Sequence, residues 1–189
     1  MSPEENPILS PYAYQLDSTD SEIHSERDCQ TIISFIPNEY NFGKVLDIGE
    51  INYVSKKLSQ HYNIKIDQTN IDLDVGTLEG QYDTIFCFEV IEHLFNPLHL
   101  LLQMKNILKP NGNIFLSTPK RRPHFMWYKY HFHEFSKTEL NNLFLRADMK
   151  LIKKEYKMTG RPIINYFKGV RPLLRLFIER KCLVQLSKV

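Results

Sequence analysis

The chain has 189 residues, 42% of them hydrophobic, and a formal net charge of +2. That length suits one domain with its own core and leaves no room for a second full one. The hydrophobic content excludes wholesale disorder, and seven Gly with ten Pro exclude collagen-like or low-complexity character. The small net charge hides an asymmetry. Residues 1–30 carry seven acids against Arg27, and residues 160–189 carry seven bases against Glu179. Such ends pack on one another or meet a charged partner. No apolar run is long enough to cross a bilayer, and the acidic N-terminus lacks a signal-peptide pattern, so a cytoplasmic location is expected. Cys29, Cys87 and Cys182 are odd in number and far apart, which excludes a CxxC metal site or a disulfide framework. Cys87 lies in an apolar run and reads as a small core residue.

Residues 1–18 read as an irregular acidic lead-in. Thr19 with Glu22 is a capping-box pattern that opens a helix to about Phe35, and Pro37 stops it. Residues 44–49 are a short apolar run ending at Gly49, as expected of a buried parallel strand. Residues 52–61 read as a short helix with Val54 and Leu58 inward. Residues 64–67 and 70–73 are short strand candidates, and residues 83–90 are the clearest strand. Asn96 and Pro97 cap a helix in which Leu100, Leu101, Met104, Ile107 and Leu108 recur at helical spacing. Residues 109–112 turn the chain into a strand over 113–118. Residues 119–135 form a basic, aromatic loop. Ser136 with Glu139 opens a helix to about Ala147, and residues 150–156 are a late strand. From Val170, apolar residues recur opposite Arg171 and Arg175, so residues 158–189 read as a basic amphipathic segment. That segment can dock on the domain or on an anionic membrane surface, which makes a peripheral membrane location the alternative.

Strand and helix alternate between residues 44 and 156, which predicts a layered α/β fold with a mostly parallel sheet. Ligands in such sheets bind outside the carboxyl ends of the strands, at the topological switch point. Residues 47–52, 67–74, 89–93 and the loop after Thr118 are therefore the places to look.

Val45-Leu46-Asp47-Ile48-Gly49, a strand ending in an acid and a glycine, resembles the first motif of class I S-adenosylmethionine (SAM)-dependent methyltransferases. Residues 82–94, 108–113 and 133–136 resemble later motifs of that family, in the right order. The resemblance covers about residues 30–157 and looks most like small ubiquinone-type O-methyltransferases. It implies a Rossmann-like, mostly parallel sheet with helices on both faces, within a domain spanning residues 19–157. Only 33 residues separate Gly49 from Asp83, so the fold is shortened between strands 1 and 4. The family's glycine motif is incomplete: Gly49 is followed by Glu50, Ile51 and Asn52. SAM carries no phosphate, and Asp47 and Glu50 suit its cationic groups. The resemblance further implies ribose contact at Asp67, 20 positions after Asp47, adenine contact at Asp72 with Leu73 beside the ring, and Glu89 on the cofactor side.

Glu89, Glu92 and His93 follow the clearest strand directly. Glu92, His93 and His133 would face the methyl acceptor, with His93 able to act as general base. Alternatively, Glu89, Glu92 and His93, with His131 or His133 as the fourth ligand, would hold a divalent ion, an arrangement that resembles small-RNA 2′-O-methyltransferases and some ubiquinone-pathway enzymes. The loop over 120–133 interleaves basic and aromatic residues, which suits a lid, a nucleic-acid contact or self-packing. The low net charge argues against a nucleic-acid partner. A SAM-dependent methyltransferase acting on a small-molecule or lipid-linked acceptor is therefore expected. A metal-assisted RNA enzyme and a non-catalytic binding module are the alternatives.

Overall fold

The computed structural model describes residues 18–128, 130–158 and 180–189. In chain order the elements are α1 (Ser18–Ile33), β1 (Val45–Asp47), α2 (Tyr53–Tyr62), β2 (Ile66–Gln68), β3 (Tyr82–Phe88), α3 (Pro97–Ile107), β4 (Leu108–Pro119), α4 (Lys137–Arg146), β5 (Met149–Met158) and β6 (Arg180–Lys188). The strands make one sheet in the order β2-β1-β3-β4-β6-β5. β1 pairs in parallel with β2 and β3, and β3 with β4, whereas β6 runs antiparallel to both β4 and β5.

The two sheet faces follow from the alternation of side chains along each strand. Leu46, Ile85, Cys87, Ile114 and Leu116 pack with Leu100, Leu101 and Met104 of α3 and Leu140 and Phe144 of α4. Val45, Phe86 and Phe115 face the other way, onto Ile32 of α1 and Leu58 of α2. Cys87 is fully buried in the first cluster. Local capping places three of the helices. Asn52 and Ser55 exchange hydrogen bonds at the start of α2, Asn96 accepts from the His99 N–H ahead of Pro97, and Ser136 and Glu139 form the expected box at α4. The Lys109–Gly112 turn is a wide bulge inside β4: Tyr82 pairs with Leu108, but Thr84 pairs with Asn113. Gly112 is needed there, since a Cβ would stand 2.9 Å from the Asp83 carbonyl oxygen.

The shortening falls where it was expected. No helix or further strand separates β2 from β3, and among the described residues β2 is the sheet edge. Residues 70–73 were read as a strand and form a turn instead. The Gly76 N–H reaches the Asp72 carbonyl at 2.7 Å, and the Asp74 N–H reaches the Asp72 carboxylate at 2.9 Å. The C-terminal region also differs from the sequence reading. Residues 180–188, assigned to a basic tail, are β6 and lie inside the sheet. Cys182, Leu183, Val184 and Leu186 are buried because β6 has a strand on either side and helices over both faces. The amphipathic helix expected from Val170 and the lead-in over 1–17 lie outside the described residues. No helix among the described residues is long and apolar enough to cross a membrane.

Candidate active site

β1 continues to β2 on one side and β3 lies on its other side, so the switch point falls at the carboxyl ends of β1 and β3. Asp47 ends β1 there with 4% of its surface exposed. Its carboxylate accepts from the Ser55 hydroxyl at 2.5 Å. Burial outweighs this bond and the Ile48 backbone N–H, and pushes Asp47 up to about 7.

Gly49 turns the chain at φ +111°, and a Cβ there would meet nothing within 4 Å. The backbone thus needs glycine for its angle, while the space above the turn stays open. The turn is anchored to β2: the Gly49 N–H donates to the Thr69 hydroxyl at 2.6 Å, and the Thr69 N–H donates back to the Gly49 carbonyl at 3.2 Å. Glu50 is exposed beside it.

Asp67 does not join Asp47. It pairs in register with Leu46 and its carboxylate lies 3.7 Å from the Lys44 ammonium. Gln68 is the residue opposite Asp47. With Ser55 and Ser59 it lines a cleft of about 210 Å³ between α2 and β2. Its side-chain oxygen is buried with no partner among the described residues. Asp72 is exposed in its turn and Leu73 is buried. Neighbouring Asp74 accepts from the Phe95 and Asn96 N–H groups, which fixes the loop ahead of α3.

The end of β3 is backbone-strained. Glu89 has φ +55°, an uncommon angle for a residue with a side chain. Its N–H donates to both oxygens of Ser117, and the Ser117 hydroxyl donates to its carboxylate at 2.7 Å. Glu89 stands 3.7 Å from the buried Lys181 ammonium of β6.

Glu92 is fully buried. One carboxylate oxygen accepts from the Thr118 hydroxyl at 3.1 Å, and the other has no partner among the described residues. Burial, reinforced by the Glu89 charge, pushes its pKa well above the usual range. The Glu92 carbonyl accepts from the Phe132 and His133 N–H groups, which seats the loop after β4 on this spot. His93 places Nδ1 3.0 Å from the Tyr130 carbonyl and meets His131 edge to face at 4.8 Å. Burial and His131 push His93 down to about 4, so its ring is neutral near pH 7. His133 stacks on Phe135, and its Nε2 is buried without a partner among the described residues.

The structure therefore brings Glu92, His93 and His131 together, with the His133 backbone on the Glu92 carbonyl. Glu92, His93 and His131 offer ligand atoms within 4.8 Å of one another. Glu89, the remaining member of the ion-binding set considered above, is not in that group, because its carboxylate is turned to Ser117 and Lys181.

The basic loop is held largely by its own domain. Arg122 forks onto the buried Glu134 carboxylate and Arg121 pairs with Glu139 at 2.8 Å. Burial would raise Glu134, but the bonds from His131 and Arg122 outweigh it and leave the acid at about 2. The loop's outer rim is apolar. Phe125 is 69% exposed, and the Phe132 ring lies tilted at 3.9 Å from that of Phe95, itself 72% exposed. Ser55, Thr69, Ser117, Thr118 and Lys181 were not expected from the sequence. Only Ser55 left a local signal, three residues after an Asn at a helix start.

A family model described as a methyltransferase domain matches residues 25–154. Among named relatives, ubiquinone biosynthesis O-methyltransferase of Marinobacter nauticus is 35% identical over 83 residues, 41% of this chain and 35% of that protein. The Pseudomonas aeruginosa enzyme of the same name is 30% identical over 81 residues, with the same shares covered. The chain thus spans about a third of the length of these relatives. Among solved structures, a chain from the complex of the Haloferax volcanii Trm112 methyltransferase activator has a TM-score of 0.68 at 14% identity, over 92% of this chain and 95% of that one. The N-methyltransferase NodS from Bradyrhizobium japonicum, solved with S-adenosyl-L-homocysteine, has a TM-score of 0.61 at 12% identity, over 87% of both chains. At such identities these structures establish a shared fold. The family match covers well over half of the chain, so the protein belongs to the class I SAM-dependent methyltransferase family.

Proposed function

We propose that this chain moves the methyl group of SAM to an oxygen or nitrogen of an apolar small-molecule or lipid-linked acceptor. The observation that carries the reading is the arrangement at the switch point. An open glycine turn follows the acid Asp47 at the end of β1, and Glu89, Glu92 and His93 follow the neighbouring strand β3. SAM presents an ammonium and a sulfonium, which carboxylates attract by charge. The reaction is an in-line displacement, so the chain's main work is to align acceptor and methyl. Neutral His93 is able to accept the acceptor's proton as the new bond forms. The exposed Phe95–Phe132 pair and Phe125 favour an apolar acceptor over RNA, and the pairing of Arg121 and Arg122 with acids removes two phosphate contacts. Calorimetry with SAM and S-adenosylhomocysteine (SAH) tests the cofactor. An absence of heat and of thermal shift at millimolar ligand would refute it. SAH release with apolar phenols, short RNAs and peptides as acceptors then tests the substrate class.

The Glu92 oxygen that has no partner among the described residues favours a second reading, in which Glu92, His93 and His131 hold a divalent ion. Such an ion would position an acceptor hydroxyl and make it more acidic. Elemental analysis of the wild type and Glu92→Ala decides: equal metal content removes that site.

A further inference from the structure

Lys181 is a buried cation that the family match does not reach, since it lies beyond residue 154. Only 3% of it is exposed. Antiparallel pairing sets it beside Pro119 at the carboxyl end of β4, so its ammonium enters the mouth of the site. There it lies 2.9 Å from Asp28 of α1 and 3.7 Å from Glu89. Burial disfavours its charge, but Glu89 and Asp28 outweigh this and keep it protonated.

Glu89 needs such support. Its backbone is in the left-handed region, and its carboxylate lies close to the buried Glu92. Two neighbouring carboxylates favour sharing a proton unless a cation neutralises one of them. Ser117 and Lys181 both act on the same Glu89 oxygen, Oε1. Asp28 and Glu89 are partly solvated, with 29% and 35% of their side chains exposed. The lysine is the enclosed partner, which suits a fixed point rather than a surface strut.

We propose that Lys181 is a positioning residue: it holds the Glu89 carboxylate, oriented and charged, toward the cationic end of the cofactor. The proposal rests on the reading of Glu89 as a cofactor contact. It also joins the last strand of the sheet to the cofactor side of the mouth.

The test is a double-mutant cycle in SAH affinity, read by calorimetry on the full chain. Glu89→Gln and Lys181→Met are each expected to weaken SAH by about tenfold, the size of one charge-assisted hydrogen bond. The double variant is expected to lose about the same tenfold, because Lys181 acts through Glu89. Lys181→Arg is expected to stay within about threefold of the wild type, since it keeps the charge. Asp28→Asn is expected to stay within about twofold, since Glu89 retains its cation. Should Lys181→Met not fold, Lys181→Gln completes the cycle. Multiplying losses in the double variant, or an Asp28→Asn loss equal to that of Lys181→Met, would overturn the proposal in favour of a strut between α1 and β6. Wild-type SAH binding with multiplying losses would leave the cofactor reading standing, whereas no wild-type binding removes both.

Discussion

Asp47 gives the sharpest stability prediction. The unfolded chain ionises this carboxyl near pH 4, but burial holds it to about 7 in the fold. Between those values the folded chain keeps a proton that the unfolded chain has released, so stability falls as pH rises and then levels off above pH 7. A gap of about three units at 1.36 kcal/mol each amounts to about 4 kcal/mol in full. Asp47→Asn keeps an oxygen for the Ser55 hydroxyl and removes the titration. Relative to wild type, the apo variant should therefore gain about 3 kcal/mol between pH 4.5 and 8, because part of the fall already lies below pH 4.5. Urea unfolding of both proteins at those two pH values measures it, and groups common to both cancel in the difference. A wild-type-to-variant gap that does not change with pH would refute the reasoning. Above pH 7, where the folded wild type is ionised at this position, the same substitution should weaken SAM binding, because it removes a negative charge from the cofactor side.

Two other sites give independent checks. Arg122→Ala takes the guanidinium from the buried Glu134 carboxylate, leaving it His131 and backbone N–H donors, and should cost roughly 3 kcal/mol in denaturant unfolding, while Arg122→Lys should recover only part, lacking the planar fork. Thr69→Val removes the acceptor for the Gly49 N–H but keeps the return backbone bond. It should cost about 1 kcal/mol and weaken SAH about fivefold; unchanged SAH affinity would detach this clamp from the cofactor turn.

The features legible in the sequence are local ones. Asp47 and Gly49 end an apolar run, and Asn96, Ser136 and Glu139 stand at fixed offsets from helix starts. Each of these is set within a few residues of its own position. Counting along the chain from Asp47 picked out Asp67, but the spacing of acids says nothing about which side of a strand each one occupies. A shift of one residue reverses the face, and Gln68 is the residue that shares Asp47's side. Lys181 was hidden for a different reason. Its neighbours Arg180 and Lys188 made it look like one more tail charge, and its partners Asp28 and Glu89 are remote in sequence. Thr69, Ser117 and Thr118 are common polar residues whose roles exist only once three strand ends meet.

β6 also bears on how the protein is made. Among the described residues β5 is joined to the sheet only through β6, yet 21 residues, 159–179, are synthesised between them. Until β6 is made, at roughly 5–20 residues per second, no other described strand pairs with the outer edge of β4 or with β5. Antiparallel insertion between them then closes the sheet and delivers Lys181 in the same step. Substitutions in β6 should therefore lower the yield of folded protein during synthesis, through exposure of that edge, as well as the stability of the finished fold.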